Sequence, residues 1–127
     1  MKKSARPLSP HLQVYKPQLT SILSILHRLT GIALAVGAVA MTWWLWTAMT
    51  SEVAFGCLQK FRHSLVGQVL LFGWTFSFVY HFLNGIRHLK WDAGYGLNMK
   101  SVYLSGYIVA IGSAIITLMI WTIAGER

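Results

Sequence analysis

The stretch HFLNGIRHLKWDAGYG, residues 81–96, lays two histidines and an aspartate along one side of an apolar helix. At roughly 100° per residue, His88 points about 20° away from His81 and lies two turns further along. Gly85 sits between them without a side chain and leaves space for a flat ligand. A helix embedded in lipid has no water to solvate polar groups, so an ionisable side chain within it normally faces a partner, a cofactor or a cavity. Asp92, if the helix reaches it, extends the same stripe toward the membrane surface.

Working outward, the pattern resolves into three apolar spans, at about Ile22 to Met49, Ser64 to Leu89 and Tyr103 to Ala124. Each supplies the ~20 residues that a bilayer-crossing helix requires. The connections at 51–63 and 90–102 carry Glu52, Gly56, Lys60 and Arg62 in one case, and Lys90, Asp92, Gly94, Gly96, Asn98 and Lys100 in the other. Both read as breaks. The expected fold is an all-α integral membrane bundle of three helices in a single membrane domain over 1–127, with a polar arm at 1–21. Gly31, Ala33, Ala35, Gly37, Ala38 and Ala40 in the first span, with Gly67 and Gly73 in the second, permit close helix approach.

Composition agrees. The 127 residues are 55% hydrophobic and 11% charged, and the mean hydropathy is +0.53. A net charge of +8 would suit nucleic acid if the cations clustered on one soluble face, but they flank the apolar spans instead. An odd number of spans puts Lys2, Lys3, Arg6, Lys16, Arg28, Arg87, Lys90 and Lys100 on one side and Lys60, Arg62 and Arg127 on the other. Eight of 11 cations then orient the N-terminus toward the cytoplasm, or toward the matrix in a mitochondrion. Trp43, Trp44, Trp46 and Trp121 gather at the opposite ends of the first and third spans, where indoles prefer the interface.

The single cysteine, Cys57, excludes a disulfide framework, a CxxCH haem attachment and a cysteine-held iron–sulfur cluster. Any redox cofactor must be held by histidine. Pro7, Pro10 and Pro17 follow Lys2, Lys3 and Arg6 without an apolar core, which is not a secretory signal. The absence of a long Ser/Arg-rich stretch fits a bacterial chain or a processed mitochondrial one.

His81 lies ~10 Å below the end of its span. A histidine there suits either a hydrogen bond to a neighbouring helix or the axial position of a b-type haem, for which Phe78, Tyr80 and Phe82 offer an aromatic lining. A second polar face comes from SILSILHRLTG at 21–31, where Ser24, His27 and Arg28 fall at i, i+3 and i+4. Arg28 suits snorkelling toward lipid phosphate. The same trio also offers the charge-assisted donors that a propionate needs and the donors that a quinone carbonyl needs.

Taken together, RPLSPHLQVYKPQLTSILSILHRLTG at 6–31 and HFLNGIRHLKWDAGYG at 81–96 resemble the cytochrome b556 subunits of succinate dehydrogenase, the larger membrane anchors of respiratory complex II. The resemblance implies that His81 is an axial ligand to the iron of a haem b. The other ligand would come from a second small anchor subunit that completes the bundle. It further implies that Ser24 and Arg28 contribute to a ubiquinone pocket, that His27 and Arg28 lie near the haem propionates, and that His88 supports a propionate or caps the polar stripe. Asp92 matches a position near the quinone region, although a helix-terminal acid paired with Arg87 or Lys90 is the more ordinary reading of it. The expected partners are that second anchor, an iron–sulfur subunit, a flavoprotein subunit and the lipid bilayer. The expected location is the bacterial inner membrane, or the mitochondrial one.

The chain itself would bind cofactors and hold no succinate-oxidising site. Three alternatives remain at this stage: an anchor of a quinol:fumarate reductase, a stand-alone cytochrome in which His27 and His81 of one chain hold the haem, and a purely structural anchor.

Overall fold

A computed structural model describes residues 16–125, so that Lys2, Lys3, Arg6, most of the 1–21 arm and Arg127 lie outside the described residues. Four helices follow in order: α1 (Leu19–Thr50), α2 (Glu52–His63), α3 (Leu65–Asp92) and α4 (Met99–Gly125). Three of them, α1, α3 and α4, are long and apolar enough to cross a membrane, at 32, 28 and 27 residues. No strand occurs among the described residues. The architecture is therefore all-α, with three candidate membrane helices as the apolar pattern predicts.

The 51–63 connection departs from expectation, because it is itself a helix. The Ser51 hydroxyl accepts from Ala54 N at 3.3 Å, Glu52 occupies the first turn, and Lys60, Arg62 and His63 occupy the last. These charges complement the helix dipole at both ends. The chain then turns sharply into α3. Ser64 caps α3 by accepting from Gly67 N at 3.2 Å, and a Cβ on Gly67 would run into the Phe61 carbonyl. Only glycine fits that corner.

The 90–102 connection is mostly a helix end. Gly94 N donates to Trp91 O and Tyr95 N to Lys90 O, while Gly94 and Gly96 take φ of 82° and 74°. This left-handed cap closes the last carbonyls of α3 and suits residues without a Cβ.

α1 and α3 run antiparallel, with His27 against His88, Gly31 against His81 and Gly37 against Trp74. α3 and α4 are antiparallel too, from Arg87 against Ser105 to Thr75 against Trp121. One end of the bundle, here termed proximal, thus holds the start of α1, the end of α3 and the start of α4. α2 lies at the distal end.

The core is small. Leu23, Tyr80 and Val109 are its fully buried apolar residues, flanked by Leu19, Phe76, Leu83 and Ala110. α4 meets it through small residues, with Gly106, Ser113 and Thr117 buried. Ile25, Leu29, Val36, Val39, Ile108 and Ile115 all face outward. An apolar exterior around a core containing buried Asn84, Ser113 and Thr117 suits a chain solvated by lipid and other membrane helices rather than by water.

Candidate functional site

The polar groups that sequence reading singled out collect at the proximal end between α1 and α3. The His27 and His81 rings stack face to face, with centroids 3.9 Å apart and planes 9° from parallel. Gly31 makes this possible, since a Cβ there would stand 3.1 Å from His81 Cε1. His88 meets the same His27 ring from above, at 5.1 Å and 51°, and packs edge-on to Trp91. His27 thus bridges the two histidines of the 81–88 stripe.

Hydrogen bonds fix how His81 presents itself. Its Nδ1 lies 3.1 Å from the His27 carbonyl oxygen and 3.2 Å from Thr30 Oγ1. A carbonyl oxygen can only accept, so Nδ1 carries the proton and Nε2 keeps its lone pair. The Thr30 hydroxyl has acceptors of its own in Leu26 O and His27 O, which leaves its oxygen available to accept from Nδ1. Nε2 has no hydrogen-bond partner among the described residues. Nor is it one of the enclosed unpartnered atoms, which are His27 Nδ1, Trp44 Nε1 and Trp74 Nε1. A histidine held through Nδ1–H on a backbone carbonyl, with Nε2 bare, is the arrangement metal-ligating histidines adopt.

The surroundings fit a flat aromatic macrocycle on this edge. Gly85 has open space where a Cβ would stand, and Phe78 and Phe82 form an exposed stacked pair with planes 8° from parallel. A bare metal ion is a poorer match: no group of three or more His, Cys, Asp or Glu side chains converges among the described residues. The two rings do not stand on opposite sides of a gap that a macrocycle could fill, since His27 and His81 are in face-to-face contact.

Ser24 and Arg28 occupy the next ridge of α1. Ser24 is half-buried and Arg28 exposed, and neither makes a side-chain hydrogen bond among the described residues. They share a helix face at the proximal end and make no hydrogen bond to His81 or His88. Asp92 is the last residue of α3 and is exposed, so the helix does reach it.

Arg87 changes most from its sequence reading. Counted there as a surface cation and a partner for Asp92, it is 6% exposed and turns into the α3–α4 interface. Its Nε donates to Ser105 Oγ at 2.9 Å, NH2 to Val102 O at 2.9 Å and NH1 to Asn84 Oδ1 at 3.4 Å. The guanidinium also lies 3.9 Å from the centre of the Trp91 ring. Asn84, wholly buried, and Tyr80, whose hydroxyl donates to Leu23 O at 2.8 Å, complete the polar interior. Sequence reading missed all three roles. The usable signal was the 80–87 spacing, which puts Tyr80, Asn84 and Arg87 on one face.

The succinate dehydrogenase/fumarate reductase transmembrane subunit model matches residues 2–120. The chain is 45% identical over 114 residues to a succinate dehydrogenase cytochrome b556 subunit of Paracoccus denitrificans, covering 90% of this chain and 88% of that one. It is 42% identical over 116 residues to the corresponding subunit of Rickettsia prowazekii, covering 91% and 90%. A succinate dehydrogenase cytochrome b560 subunit of the liverwort Marchantia polymorpha is 39% identical over 128 residues, covering 92% and 89%. Similarity of this extent, over a chain whose three long apolar helices bring polar residues together at one end, has one reading: the chain belongs to the succinate dehydrogenase/fumarate reductase transmembrane subunit family, among its succinate dehydrogenase cytochrome b members.

Proposed function

We propose that the chain is a haem b-binding membrane anchor of succinate dehydrogenase that supplies one axial histidine, His81, and part of a ubiquinone-reduction site. The observation that carries this reading is the state of the His81 ring, with Nδ1 bonded to the His27 carbonyl and Nε2 bare, one turn from Gly85, where a Cβ would meet open space. Among the described residues no other histidine pairs a carbonyl-bonded Nδ1 with a bare Nε2, and a second iron ligand would be supplied by a partner anchor subunit. When bound, haem b supplies a one-electron redox centre. This chain orients the ligand histidine, and its apolar helices exclude water. His27, Arg28 and His88 provide donors for the propionates.

Ser24 and Arg28 are the residues proposed to bind ubiquinone, as hydrogen-bond donors to a carbonyl oxygen at the membrane surface. Electrons for a quinone held there would come from an iron–sulfur subunit, with succinate oxidised on a flavoprotein subunit. The cation bias supports an inner-membrane location with the proximal end toward the cytoplasm, since Lys16, Arg28, Lys90 and Lys100 are all exposed there. A cysteine at Lys100 is expected to react with an impermeant reagent from the cytoplasmic side only.

Haem content tests the proposal. In the assembled complex, His81→Leu is expected to remove the b-type absorption and His63→Leu to leave it intact. An intact spectrum in the His81 variant would overturn the assignment.

A further inference from the structure

Among the described residues, Arg87 is a buried cation with no acid beside it. The chain contains only three carboxylates, Glu52, Asp92 and Glu126. Glu52 opens α2 at the distal end, Glu126 follows the last residue of α4, and Asp92 is exposed. The donors of Arg87 go to Ser105, Val102 O and Asn84, all of them neutral acceptors. Ionisable groups within membrane helices are costly and mark function more often than packing. The α4 backbone passes close to the guanidinium: a Cβ on Gly106 would stand in ordinary contact with Arg87 NH2 at 3.6 Å, and would crowd Leu23 Cδ1 at 2.7 Å.

A guanidinium can only donate, so the atom of Asn84 that faces it must be the carbonyl oxygen. This choice fixes the whole amide. Nδ2, a donor, is then turned toward His88 Nε2 at 3.4 Å. The Nε2 atom must accept, and the ring proton of His88 is placed on Nδ1. That nitrogen has no partner among the described residues and is not among the enclosed unpartnered atoms. His27 and Trp91 confine the ring on its other sides.

We propose that Arg87 and Asn84 are positioning residues that lock His88 in the Nδ1–H tautomer, so that this ring offers a donor to a carboxylate outside the chain. The chemistry it recognises is that of a haem propionate, and in this the inference rests on the proposed haem site. Asn84 transmits the choice, and Arg87 keeps the amide from turning over. The buried charge thus acts on the site through one intervening side chain rather than by touching a ligand.

Ring-nitrogen NMR of the assembled complex in lipid, with 15N-labelled histidine, tests the relay. The signals of His88 are identified by their loss in His88→Gln. The parent is expected to show a bare Nε2 and a protonated Nδ1. In Asn84→Asp the carboxylate accepts from both Arg87 and the ring, so the two His88 nitrogens are expected to exchange states. A protonated Nε2 in the parent would overturn the proposal, and the parent spectrum decides this even where Asn84→Asp does not assemble. An unchanged pattern in an assembled Asn84→Asp complex would overturn it too. The donor role has a second readout: His88→Asn keeps an N–H and is expected to hold the parental haem midpoint potential, whereas His88→Leu is expected to lower it. Equal potentials in the two variants would remove the carboxylate from the proposal. Failure of the haem reading is distinguishable, because it shows as retained haem in His81 variants while the tautomer of His88 is measured independently of iron.

Discussion

The two ends of this bundle handle buried polar groups in opposite ways. At the proximal end they reach across helices: Tyr80 to Leu23, His81 to His27 and Thr30, Arg87 to Ser105 and Val102. Toward the distal end they close onto their own backbone, as Thr47 does on Trp44, Ser77 on Gly73, Ser113 on Ala110 and Thr117 on Ser113. There the one cross-helix side-chain bond among the described residues is Trp121 to Thr75, at 3.3 Å. Back-bonded hydroxyls are self-sufficient and can be buried almost anywhere in a membrane helix. Cross-helix bonds hold particular side chains in particular orientations. The distal half is therefore held mainly by packing, with the Trp44 and Trp74 indole N–H groups enclosed without partners, and the proximal half holds its polar side chains in set orientations across helices.

The largest expected effect belongs to the packing half. Gly37 faces the Trp74 indole so closely that any Cβ would collide with it. Overpacking of this kind costs about 1–3 kcal/mol or more, and Gly37→Leu is expected to prevent stable assembly, read as lost complex on native electrophoresis. Normal assembly would mean that the indole has another place to go.

Next come the open edges of the proximal half. Arg28→Leu and Ser24→Ala are expected to lower succinate:ubiquinone reduction while succinate oxidation with an artificial acceptor persists. A hydrogen bond to a charged group is worth about 1.5–3 kcal/mol. At about 1.4 kcal/mol per decade, the loss for Arg28→Leu is around ten-fold to a hundred-fold. Parental rates in both variants would make these residues lipid-facing and confine the site to His81.

The contrast is sharpened by two smaller changes. Tyr80→Phe deletes a cross-helix bond and is expected to destabilise the complex by about 0.6–1.7 kcal/mol. Ser113→Ala deletes a local one, leaves Ala110 O with its helical partner, and is expected to stay within about 0.5 kcal/mol. Thermal inactivation of the two complexes side by side measures both. Equal losses would erase the distinction between the halves.

Much of this was legible in the sequence. Span lengths and Trp placement gave the long helices, because lipid imposes a length and an interface that composition must obey. The 81–88 stripe and the Ser24-His27-Arg28 face were visible as helical spacings. Two things were not. The 51–63 segment reads as a break because Gly56 and its charges interrupt an apolar pattern, yet acids first, bases last and a serine cap are a helix signature on a shorter scale. The burial of Arg87 depends on what α4 brings opposite it, namely the Ser105 hydroxyl and the Val102 carbonyl. A one-dimensional pattern shows a cation near a helix end and carries no record of the facing helix. His27 stacking on His81 was hidden for the same reason, being a property of α1 against α3.

The central claim is that a single histidine of this chain, His81, ligates the haem iron. Near-infrared magnetic circular dichroism of the oxidised, assembled complex reads axial ligands directly. The account predicts that His81→Met converts a bis-histidine signature to a histidine–methionine one, while His27→Met and His88→Met retain the bis-histidine signature. A bis-histidine signature that survives in His81→Met, or that is lost in His27→Met, would contradict it.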